Sequence, residues 1–329
     1  MQNINDYLSL LLAQQKTEIL ELALELKIFK LIEENINTIF IISSKININE
    51  HKTKILLDSL VFMELLEINQ DKYLNTKFAK EAFIYGTSSY CGDVFLHRKQ
   101  LAENGKKMMK SMFEEKKELE EIKIAKLWAD ASKKFLKQEQ KNLIAPMAVD
   151  IIKNLKEFSS LNNMLDLGCS SGVIGLEITK NHPNIKTTLF DYEEVTNITK
   201  EHINEYNLQN RVFVLSGDIE KNDIGKNYDL IWCSNIFYFF KDKKEVIKKI
   251  YDALNPNGIL VSCHVEIDTK NSLDENSFFY FLSLNLQGKN ILKPMELSDI
   301  FEEVGFKSIN SYTTYKTPMT PSQIHICKK

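Results

Sequence analysis

Apolar residues recur at helical spacing over residues 5–33, through Tyr7, Leu8, Leu10, Leu11, Ile19, Leu20, Leu22, Ala23, Leu26, Ile28, Phe29, Leu31 and Ile32. So broad a stripe exceeds what one solvent-facing helix needs, and it is expected to be covered on both sides, within its domain or by a partner chain. A short loop or strand at 38–42 should lead to a second helical unit from about 49 to 68, and the turn-rich run 67–74 predicts a hairpin. From 101 to 142 Lys and Glu alternate around scattered apolar positions (Met108, Met109, Met112, Phe113, Leu119, Ile122, Ile124, Leu127, Trp128, Phe135, Leu136), the pattern of solvated helix faces. Pro146 interrupts that pattern or opens a helix over 147–155.

Beyond 161 the pattern changes to strand–helix repetition. Strands are predicted at 164–167, 187–190, 212–215, 230–233 and 259–263, with helices over 172–180, 194–206 and 241–254 between them. The run Asn255-Pro256-Asn257-Gly258 reads as a turn before the fifth strand, and a helix over 294–304 and strands at 309–314 and 323–328 finish the chain. Strands separated by helices of this size require a mostly parallel sheet with right-handed crossovers, an α/β fold. The expected division is a mainly helical domain over 1–100, a helical connector over 101–160 and the α/β domain over 161–329.

Ligands of an open α/β sheet sit beyond the carboxyl ends of its strands. The first predicted strand ends in Asp166, Gly168 and Cys169, and the turn runs on through Ser170 to Gly172. Asp191 and Tyr192 close the second strand, Gly217, Asp218 and Ile219 the third, and Cys233, Ser234 and Asn235 the fourth. Asp191 is placed to accept from ribose hydroxyls, and Asp218 to accept from an adenine amino group beside Ile219. The loop is not G-x-G-x-x-G and no P-loop lysine follows, so a pyrophosphate would find neither a run of glycine amides nor a cation, and Asp166 would repel it. A ligand with adenosine at one end and an amino acid at the other fits better: S-adenosylmethionine.

Composition narrows the field. With 42 Lys and Arg against 45 Asp and Glu, the formal charge of −3 gives no global nucleic-acid footprint. The helix that would read DNA carries Lys52 and Lys54 but then Asp58 and Glu64 among apolar residues, a face suited to packing on protein. No apolar run approaches membrane-spanning length and no signal peptide is evident, so a cytoplasmic chain without membrane partners is expected. Five scattered cysteines show no zinc cadence, so free thiols and no metal are expected.

Taken together, Asp166-x-Gly168-x-Ser170-x-Gly172, Asp191 and Asp218-Ile219 resemble the class I S-adenosylmethionine-dependent methyltransferases, with Ser170 where their middle glycine usually stands. The resemblance extends over nearly the whole chain to the small-molecule O-methyltransferases of the hydroxyindole and caffeate type and their bacterial polyketide-tailoring relatives. Residues 19–31 resemble that family's dimerising helix, with its A-x-x-L-x-I-F pattern at 23–29, 56–74 its winged-helix segment with Asn75-Thr76 just beyond, and 302–306 the helix end before its last strands. It implies a Rossmann-like domain with a seven-stranded sheet behind a winged-helix dimerisation domain, a homodimer whose N-terminal modules interlock, and methyl transfer to a hydroxyl of an aromatic or polyketide-like molecule. The alternatives are methylation of an activated carbon and a cofactor-binding relative that no longer methylates.

The family's catalytic histidine is replaced by Tyr238. A phenol of reference pKa ~10 is a poor resting base, while histidine at ~6.5 is a good one. The sequence therefore offers His264 as base or polariser, with Glu266 two residues on and Tyr238 as orienter; the competing reading makes His264 structural. Met147, Asn235, Phe239 and Phe240 are the substrate-pocket candidates.

Overall fold

The structure is a computed structural model that describes residues 4–111, 124–286, 291–318 and 321–329. Of the connector positions named above, Met112, Phe113, Leu119 and Ile122 lie outside the described residues. The chain forms two compact units, Met1–Gln100 and Leu101–Lys329.

The first unit contains α1 (Ile4–Glu25), α2 (Ile28–Glu33), α3 (Ile39–Ile46), α4 (Glu50–Phe62), a hairpin of β1 (Leu66–Asn69) and β2 (Lys72–Asn75), and α5 (Lys77–Ala82). The expected first helix is broken, because Lys27 takes a left-handed φ of 55° between α1 and α2. The expected loop or strand at 38–42 is instead the start of α3: Thr38 alone bridges Lys72, and Ile39, Ile42 and Ile46 then recur at i, i+3 and i+7. Packing of Ile42 into the core prevails here over the strand preference of a β-branched run. The second helical unit ends at Phe62, short of 68, where Glu64 turns left-handed and the hairpin begins. Asn49 caps α4 and Thr76 caps α5, each accepting a backbone N–H two or three residues into the helix. Leu20, Ala23 and Leu24 of α1 are buried, but Leu10 is 65% and Leu11 60% exposed. In the single chain the first half of the stripe is uncovered.

A helix α6 (Gly92–Ser111) leads into the second unit, and a nearly unbroken helical run follows: α7 (Ile124–Ala131), a π-helical stretch Ser132–Leu136, α8 (Lys137–Glu139), a second π-helical stretch Gln140–Ile144, and α9 (Ala145–Lys153), with Pro146 in its first turn. Then come β3 (Asn163–Leu167), α10 (Val173–Asn181), β4 (Lys186–Asp191), α11 (Glu193–Tyr206), β5 (Val212–Ser216), β6 (Tyr228–Ser234), α12 (Lys243–Ala253), β7 (Leu254–His264), α13 (Glu275–Tyr280), α14 (Leu282–Leu286), α15 (Glu296–Val304), β8 (Ser308–Thr314) and β9 (Ser322–Lys328).

The seven strands lie in the order β5-β4-β3-β6-β7-β9-β8, all parallel except β9, which runs against both neighbours. This is the Rossmann-like sheet expected from the sequence. Residues 255–258, read as a turn, bulge out of β7 without ending it, since its pairing with β6 resumes at Leu230 and Ile259. Alternate residues bury on opposite faces. Leu165, Leu167, Ile231, Cys233 and Leu260 pack under α12 and α15, and Met164, Leu230, Trp232 and Val261 under α9 and α10.

Candidate active site

The turn from Gly168 to Gly172 is built by backbone strain and then pinned from three sides. Gly168 (φ 71°), Ser170 (φ 53°) and Gly172 (φ 75°) are all left-handed. A Cβ on Gly168 would lie 2.5 Å from Ile236 Cγ2, so the first glycine cannot be replaced without moving the loop after β6. Ser170 bears the cost of its Cβ in that conformation, of order 1 kcal/mol, and is held there by neighbours. Its N–H donates to Asp191 Oδ2 at 2.8 Å, its carbonyl accepts from Thr199 Oγ1 at 3.0 Å, and its hydroxyl meets Ser132 Oγ at 2.9 Å.

Asp191 ends β4, and its other oxygen accepts the Tyr192 N–H at 2.8 Å. Burial pushes its carboxyl up to about 6, against the pull of those two N–H donors. Each oxygen keeps a lone pair, which suits a ribose diol. Asp166 is 2% exposed, accepts the Gly175 N–H at 2.9 Å, and is pushed up to about 7 chiefly by burial and also by the Asp191 charge. Gly175 permits this contact: a Cβ there would lie 2.9 Å from the Asp166 oxygen and 2.5 Å from Leu189. Asp166 pairs in register with Trp232, whose buried indole N–H has no partner among the described residues.

Asp218 is turned toward its own loop, with one oxygen on the Glu220 N–H and the other paired with Lys221 at 2.7 Å, which holds its carboxyl below the usual range despite partial burial. Lys221 is exposed, so this pair is weak and leaves the carboxylate free to exchange partners. Gly217 donates its N–H to the Asp191 carbonyl, and Ile219 rests half-buried against the core under α12. Cys169 and Cys233 are buried thiols, raised well above their ordinary range by burial.

The geometry gives the three proposed catalytic side chains other work. His264 is fully buried; its Nε2 accepts the N–H groups of Ile236 (3.1 Å) and Phe237 (3.3 Å), and its Nδ1 meets Ser262 Oγ at 2.8 Å. Both nitrogens are committed, the ring stacks on Phe237 at 4.5 Å, and burial drives its pKa well below 6.5. Tyr238 is 3% exposed, its hydroxyl accepts the Val265 N–H and donates to Asn235 Oδ1 at 3.1 Å, and burial pushes its pKa well above 10. Glu266 is buried between His325 Nε2 (3.0 Å) and the Met295 N–H (3.0 Å). Each of the three is buried and hydrogen-bonded within the fold, the arrangement of the competing structural reading of His264. Its lone pair instead fixes the loop that carries Asn235.

Among the pocket candidates, Met147 is buried, with Thr314 Oγ1 on its sulfur, and faces the core under α9. Phe239 and Phe240 are half-buried, and Phe239 meets Trp128 of α7 edge to face at 5.4 Å. Ser234 and Asn235 are half-buried at the β6 tip.

Sequence reading missed the linker's share of this site. Gln140 donates to the Cys169 carbonyl at 3.3 Å and accepts from Ser171 Oγ at 2.5 Å, while Ser132 holds Ser170. The π-helical stretches that place them break the 3.6-residue period, so no periodic signal marks them. A separate cavity of about 680 Å³, lined by Lys243, Ile267, Phe278, Leu292 and Glu296 among others, holds none of the residues singled out from the sequence. Among the described residues, no group of three or more His, Cys, Asp or Glu could hold a metal, and no helix is long and apolar enough to cross a membrane.

Comparison with known proteins agrees with this architecture. An O-methyltransferase domain family model matches residues 100–307. An uncharacterized protein of Methanocaldococcus jannaschii is 28% identical over 193 residues, 59% of this chain and 48% of its own. The malonyl-[acyl-carrier protein] O-methyltransferase of Priestia megaterium is 28% identical over 173 residues, 48% of this chain and 59% of its own. The chain thus spans about half the length of these curated relatives. The structure of human N-acetylserotonin methyltransferase in complex with S-adenosylmethionine matches with a TM-score of 0.79 at 18% identity, covering 99% of this chain and 96% of that one, a likeness of fold. The family model covers more than half of the chain, and the strand-tip turn and sheet order agree with it: the chain belongs to the O-methyltransferase domain family and has the class I S-adenosylmethionine-dependent methyltransferase fold.

Proposed function

We propose that this protein transfers the methyl group of S-adenosylmethionine to an oxygen of a small, flat acceptor. The observation that carries the reading is the left-handed turn 168–172 locked to Asp191 at the neighbouring strand tip. The residues fit the cofactor: Asp191 retains lone pairs for ribose hydroxyls, Gly168 keeps the approach clear of a side chain, and Tyr192 and Asp218 flank the adenine side. The cofactor supplies a methyl already activated by its sulfonium charge, so the protein's task is alignment and exclusion of water. Phe239 and Trp128, edge to face, supply an aromatic surface suited to that task.

Transfer to nitrogen is the second reading, because curated relatives also include the N,N-dimethyltransferase OxyT of Streptomyces rimosus. The exposed apolar half of α1 supports a homodimer formed through the first unit. Free cysteines, four of them buried, support a reducing cytoplasmic setting.

Calorimetry with S-adenosylmethionine and S-adenosylhomocysteine tests the reading. Both are expected to bind, and Asp191→Ala to weaken binding at least ~30-fold through loss of charge-assisted bonds and of the turn's anchor. No heat with either compound would end the proposal.

A further inference from the structure

At the tip of β6, Asn235 adopts a left-handed φ of 53° and donates its N–H to the Cys263 carbonyl at 3.0 Å. Its side-chain amide is oriented by a neighbour. The Tyr238 hydroxyl already accepts the Val265 N–H and has one proton to give, with the Val265 carbonyl at 3.3 Å and Asn235 Oδ1, the nearer acceptor, at 3.1 Å. The NH₂ end therefore faces away from Tyr238. It has no hydrogen-bond partner among the described residues and is not fully buried, so it reaches open space. The backbone turn alone explains an asparagine or a glycine here. It does not explain an amide whose acceptor end is fixed and whose donor end is left open.

Among the described residues, the ionisable groups around this tip offer no base to accompany it. Cys263 is pushed up to about 12 by burial, His264 and Tyr238 are committed as described, and Glu266 is paired with His325. On the adjoining strand Asp166 faces Gly175 beneath α10.

We propose that Asn235 is the acceptor-binding donor of this site, and that its acceptors are oxygen acids already ionised at the working pH: carboxylates, acidic phenols or acidic enols. This rests on the methyl-transfer reading above and names its substrate class. A fixed N–H donor grips an anionic oxygen and holds one lone pair in line, while a neutral hydroxyl would still need its proton removed. In the step, an oxygen lone pair forms the new C–O bond and the C–S bond breaks with its pair going to sulfur. No proton is released, because the acceptor lost it beforehand. Tyr238 acts through Asn235, as a positioning residue.

The experiment measures kcat/KM between pH 6 and 9 with labelled S-adenosylmethionine and three aromatic acceptor sets: carboxylic acids, nitrophenols and unsubstituted phenols. Carboxylates are expected to give a flat profile, nitrophenols a profile following their own ionisation, and phenols little product. Asn235→Gly keeps the left-handed turn and deletes the amide; Asn235→Asp keeps the acceptor for Tyr238 and replaces the donor with a charge. The first should lower kcat/KM by ~10- to 100-fold and the second further, both with S-adenosylhomocysteine affinity retained. Undiminished kcat/KM in Asn235→Gly, or neutral phenols methylated with a profile that breaks near pH 6.5 whatever the acceptor, would overturn the inference while leaving methyl transfer standing. Absence of S-adenosylhomocysteine binding by the unaltered chain would overturn both.

Discussion

Asp166 and Tyr238 show how burial decides what a polar residue can do. The folded Asp166 carboxyl titrates near 7, above its unfolded value of ~3.9. Folding therefore takes up a proton between about pH 4 and 7, and this residue's contribution to stability is greatest at acid pH and falls as pH rises through 7. Asp166→Asn keeps an acceptor for the Gly175 N–H without the charge. It should match the unaltered protein in Tm near pH 4 and exceed it by roughly 2–6 °C at pH 8, read by differential scanning calorimetry. Tyr238→Phe leaves the Val265 N–H and Asn235 Oδ1 without their shared partner. It should cost about 1–3 kcal/mol in denaturant unfolding and lower kcat more than it raises KM, since the Asn235 amide would then be free to turn. An unchanged unfolding midpoint would show that the hydroxyl carries no structural weight.

At the scale of elements, the α/β half was open to reading because two periods coincide there. Each strand is a short apolar run ending in a polar tip, and each helix between them shows one buried face, as in α11 and α12. The same rules give α3 the wrong state, since Ile39–Ile42 alone cannot distinguish a buried strand from a short helix. The strand tips could be named in advance because chain direction puts them on one edge. Which tip residues keep an open polar group could not, because His264 and Tyr238 are distinguished from Asn235 only by contacts between the loop after β6 and β7 that lie about 27 residues apart in sequence. Ser132 and Gln140 left no trace at all, being ordinary polar residues in a charged helix.

Across the whole molecule, the uncovered face of α1 is the feature most in need of a partner. Leu8, Leu10, Leu11 and Leu12 are each at least half exposed in the single chain, an unusual density of apolar surface for a helix facing water. Sedimentation is expected to show a dimer, and Leu8→Glu with Leu11→Glu to shift it toward monomer; a monomeric unaltered chain would refute the expectation. The wide turns of the linker bear on a different property. A π turn houses one residue more than an α turn over nearly the same rise. Excising a single residue from 132–136 or 140–144 would thus restore regular winding and still leave α9 in phase with Ile174 and Ile178 beneath it. The grip on residues 169–171 would be lost, and the turns upstream, Trp128 among them, would rotate. Lineages that gain or drop a residue at these two places can therefore retune the loop at the strand tips while the sheet and its covering helices stay as they are.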